Sequence, residues 1–82
     1  MEAMTRTQQI KAMNQLSQEA NFSIQKQTRT VEHCEYMVRW FIANGNQEKA
    51  DEWRTELKCQ TKYLAETKKT AEGIKTLLAR WS

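Results

Sequence analysis

The chain has 82 residues, 39% of them hydrophobic and 28% charged, and carries a net charge of +3. One small domain fits that length, and its stability is marginal unless something outside it helps. The absence of proline, with only two glycines and two cysteines, excludes a turn-rich β-sandwich or barrel and a disulfide scaffold.

The first segment, Met1-Glu2-Ala3-Met4-Thr5-Arg6, has no apolar stretch and reads as lacking a secretion signal. A helix is predicted from about residue 6 to 43, with its first turns frayed. Its straight-chain residues lose little rotamer freedom in a helix. Seven-residue spacing puts Ile10, Ser17, Ile24, Val31 and Val38 at heptad position a. Met13, Ala20, Gln27, Cys34 and Phe41 fall at d. The longest apolar run, Trp40-Phe41-Ile42-Ala43, is far too short to span a membrane.

Asn44-Gly45-Asn46 is the one break in the pattern. Gly45 suits the left-handed conformation that ends a helix, and Asn46 suits the cap that starts the next. The segment Ala43 to Ala50 is similar to the glycine turns of many helical hairpins and repeats, a likeness that implies no particular function.

A second helix is predicted from about 47 to 81. Ala50, Leu57, Leu64, Ala71 and Leu78 take its a positions, and Trp53, Gln60, Thr67, Ile74 and Trp81 its d positions. Glu48, Asp51 and Glu52 at its start, and Lys75 and Arg80 near its end, complement the helix dipole. Gly73 reads as a tolerated interior glycine costing about 1 kcal/mol relative to alanine. Heptads sustained this long argue for a coiled coil. Antiparallel pairing about the turn layers Val38 with Trp53, Cys34 with Leu57, Gln27 with Leu64 and Ile10 with Trp81. The buried glutamines Gln27 and Gln60 cost stability unless hydrogen-bonded. The predicted fold is therefore all-α: an antiparallel two-helix coiled-coil hairpin, completed to a helical bundle by self-association or a partner helix.

Large apolar residues remain outside the seam. Leu16 and Met37 fall at position g of the first helix, Ile42 at e, Phe22 and Tyr36 at f, and Trp40 at c; Tyr63 and Leu77 fall at g of the second. A stripe this wide suits packing against a further helix, so these eight are the candidate partner-binding residues.

Chemistry finds less support. Glu32-His33-Cys34-Glu35 looks metal-like as a string, but on a helix His33 points outward and Cys34 into the seam. One histidine and two cysteines lack zinc-site spacing. Cys34 reads as a core thiol and Cys59 as an exposed one, both free, which suits an intracellular, cytoplasmic or nuclear setting. No catalytic motif is present, and a bare hairpin offers no concave pocket. The expectation is no enzyme, no cofactor, no metal and no membrane. The reading is a protein–protein interaction module, a homodimer or a dock for a partner helix, suited to a segment of a larger scaffold or adaptor. The alternative is a small basic adaptor touching nucleic acid or an acidic protein through Lys58, Lys62, Lys68 and Lys69. Those lysines spread round the helix beside Glu56 and Glu72, which weakens it.

Overall fold

The sequence builds two helices joined by a three-residue turn. A computed structural model describes residues 5–81; residues 1–4 and 82, and with them most of the segment read for a secretion signal, lie outside the described residues. The elements are α1 (Arg6–Ala43) and α2 (Gln47–Trp81), with no strand among the described residues.

The start of α1 is better fixed than its polar sequence suggests. Thr5 and Gln8 form a reciprocal capping box: the Gln8 N–H donates to Thr5 Oγ1 at 3.2 Å, and the Thr5 N–H donates to Gln8 Oε1 at 3.0 Å. Two otherwise unpaired donors are satisfied, so the first turn is anchored where the sequence predicts fraying.

The turn follows its residue chemistry closely. Gly45 takes φ 74°, and its N–H donates to the Ile42 carbonyl. The Asn46 N–H donates to the Phe41 carbonyl, completing a Schellman motif. Asn44 adds a side-chain bond to the Trp40 carbonyl at 2.7 Å. Asn46 then caps α2 by accepting the Lys49 N–H on Oδ1 at 3.1 Å.

At about 1.5 Å per residue, helices of 38 and 35 residues are each over 50 Å long. The whole molecule extends only 62 × 19 × 18 Å, so the helices lie side by side. They run antiparallel along their full length. Arg6, at the start of α1, stands 5.9 Å from the Trp81 ring at the end of α2. The His33 ring meets the Trp53 ring edge-on at 5.5 Å. Both indoles reach about one turn past the residues layered with them in the sequence reading, Ile10 and Val38.

The seam holds a thin core. Cys34, Val38, Ala50 and Leu64 are buried, and all the other a and d positions are half-buried. On α2 the a and d positions are the only described residues that are not exposed. Among described residues no helix is long and apolar enough to cross a membrane.

Candidate interaction surface

The two sides of the seam differ in chemistry, and the heptad determines how. On one side the g positions of both helices face each other; on the other the e positions do. An open groove of about 470 Å³ marks the g side near the turn, lined by Thr30, His33 and Cys34 of α1 and Lys49, Glu52, Trp53 and Glu56 of α2. A smaller groove of about 210 Å³ marks the e side, where Ser17, Asn21 and Ile24 meet Lys68, Ala71, Glu72 and Lys75. The e side is thus polar and basic.

The g side combines its polar groove with large apolar residues. Leu16 and Met37 on α1 and Tyr63 and Leu77 on α2 all project along it, with Trp40 at the neighbouring c position. Leu16 is 47% exposed and Tyr63 58%. Met37, at the same heptad position, is half-buried.

The remaining candidates lie elsewhere. Phe22 and Tyr36 are exposed at f, turned away from α2, and Ile42 is exposed at e. Phe22 has a local companion: the Lys26 ammonium, one turn on, sits 4.8 Å from its ring. Trp40 packs edge-on against Phe41 at 5.0 Å. The apolar residues outside the seam therefore form one aligned set on the g side and scattered singles elsewhere.

Of the four lysines of the alternative reading, Lys58, Lys62 and Lys69 share the outer face of α2 by their spacing, and Lys68 stands apart. Lys58 and Lys62 line the outer surface of α2 beside Thr55, Cys59 and Ala65, whereas Lys68 belongs to the e-side groove.

The seam contains two glutamines with different fates. Gln60 donates through Nε2 to Glu56 Oε1 at 2.9 Å, one turn back on its own helix. Gln27 Oε1 is buried with no hydrogen-bond partner. Thr67 donates to the Tyr63 carbonyl at 3.2 Å and needs nothing across the seam.

The groove at His33 departs from the expectation that two helices offer no concavity. Burial, with the Glu56 carboxylate adding to it, pushes the Cys34 thiol above its ordinary value of 9.0. A protonated thiol is a poor nucleophile. Cys34 and Cys59 are both free. Among described residues no group of three or more His, Cys, Asp or Glu could hold a metal ion.

Comparison with protein-family models, curated proteins and solved structures finds no match. The functional reading therefore stands on the surface itself.

Proposed function

We propose that the chain is a non-enzymatic interaction module, an antiparallel coiled-coil hairpin that self-associates into a four-helix bundle through its g side. The observation that carries this reading is the alignment of Leu16, Met37, Tyr63 and Leu77 on one side of both helices. The coiled-coil assignment rests on the burial pattern, in which every a and d position is at least half-buried. Heptad helices pack into bundles at about 20°, which lets a second seam form beside the first.

A second copy is favoured over a foreign helix because symmetric dimers are the commonest assembly. The stabilising term is apolar burial: each large side chain moved out of water contributes about 1.5–3 kcal/mol.

Sedimentation mass across a range of concentrations tests the proposal. The wild type is expected to reach dimer mass at micromolar concentration, and Met37→Glu with Trp40→Glu to remain monomeric and helical. A wild type that stays monomeric at high micromolar concentration removes self-association. Dimer formation unaffected by the double substitution moves the interface away from the g side.

A further inference from the structure

We infer that the second copy lies antiparallel to the first, with the turn of one helix pair beside the open end of the other; this rests on the self-association proposed above. Two independent observations point to it, one in the apolar residues and one in the charges.

Three of the four g-side apolar residues, Leu16, Met37 and Tyr63, are spaced to survive reversal; Leu77 is not, since it falls level with Lys49 of the second copy. Tyr63 stands as far from Gln47, where α2 starts, as Gln27 stands from Ala43, where α1 ends, so the two lie level. On α1, Leu16 and Met37 flank that level at nearly equal distances, Leu16 toward the open end and Met37 toward the turn. A two-fold axis across the long direction at Tyr63 therefore brings each Leu16 opposite the Met37 of the second copy. It leaves the two Tyr63 side chains together at the centre.

The charges decide between this arrangement and its parallel alternative. Six of the described carboxylates, Glu32, Glu35, Glu48, Asp51, Glu52 and Glu56, lie between residues 32 and 56, against Arg39, Lys49 and Arg54, a net charge of −3 around the turn. The open-end segments that reversal sets against it, residues 5–22 and 68–81, carry Arg6, Lys11, Lys68, Lys69, Lys75 and Arg80 against Glu19 and Glu72, a net charge of +4. A parallel dimer would set two positive open ends side by side. The antiparallel dimer sets each against an acidic turn end. Helix dipoles give no preference, since they oppose one another within each antiparallel pair. Charge complementarity of this kind fixes orientation more than it adds affinity.

Pulsed dipolar electron resonance on a spin label at Ala43→Cys, in a Cys34→Ala, Cys59→Ser background, reads the orientation directly. Ala43 is exposed and ends α1 at the turn, well away from the Gln27 level. Two labels in the antiparallel dimer are expected about 50 Å apart, from about 1.5 Å per residue on either side of the axis. In a parallel dimer they fall within about 25 Å, the width of two helices. A second label at Asn14→Cys, exposed and on the open side of the same level, is expected at about 40 Å. Sedimentation of the same samples separates the two ideas. Dimer mass with long distances at both sites supports the inference. Dimer mass with short distances overturns the orientation and leaves self-association standing. Monomer mass overturns both.

Discussion

Gln27 and Cys34 lie two turns apart in the same seam and illustrate opposite costs of burial. Gln27 Oε1 is buried and unpaired, and such a group costs about 1–3 kcal/mol relative to one left in water. Gln27→Leu is therefore expected to stabilise the chain by about 1–2 kcal/mol in urea unfolding, while Gln60→Leu, which gives up the bond to Glu56, is expected to gain less. Cys34 carries no such orphan but has a pH signature. Its folded pKa lies above 9.0, chiefly through burial. The folded state then holds a proton that the unfolded state has already released. Stability from this group is complete below pH 9.0 and is lost as pH rises through the folded value. Urea midpoints of wild type and Cys34→Ala, followed from pH 8 to pH 10.5, are expected to converge as pH rises. A constant gap would place the thiol in ordinary solvent.

At the scale of the elements, the two glycines make opposite predictions from one substitution. Gly45 has φ 74° with open space around it, so an alanine there meets no neighbour and suffers only the left-handed backbone cost, about 1–2 kcal/mol. Gly73 sits inside α2 with equally open space, so Gly73→Ala is expected to stabilise by about 1 kcal/mol through helix propensity. Thermal unfolding of the two variants should move in opposite directions. The turn and the seam are legible in the sequence because a lone glycine between two asparagines and a seven-residue period are strong local signals. The Thr5 and Gln8 capping box is equally present there, as a threonine followed three residues on by a glutamine, but the polarity around it masks the signal. The fate of Gln60 can be read from Glu56, four residues before it. The groove at His33 cannot, because it depends on how far the Trp53 indole reaches across the seam. The g-side set follows from heptad position alone, but heptad position does not separate Met37, which is half-buried, from Leu16, Tyr63 and Leu77, which are exposed.

For the whole molecule, shape sets the energetics. A body with extents of 62 × 19 × 18 Å exposes most of its surface, and only Cys34, Val38, Ala50 and Leu64 are buried within it. Two helices ordered over their full length lose conformational entropy at every residue, about 1–2 kcal/mol each for the backbone alone. Small scaffolds seldom offset that loss with a single seam, and usually recruit a disulfide, a metal or a second subunit. Both cysteines are free, and no metal-holding group occurs among the described residues. The self-association proposed above would supply such a second subunit, and association obeys mass action. The unfolding temperature is therefore expected to rise with protein concentration across the micromolar range. In the Met37→Glu, Trp40→Glu variant it should be lower and flat, because the g side no longer closes. Leu64→Ala, at a buried seam position, is expected to cost about 2–5 kcal/mol while leaving the concentration dependence in place. The two variants thus lower stability by different routes, and calorimetry at three concentrations distinguishes them. A wild-type midpoint that does not move with concentration would mean that the seam alone holds the chain.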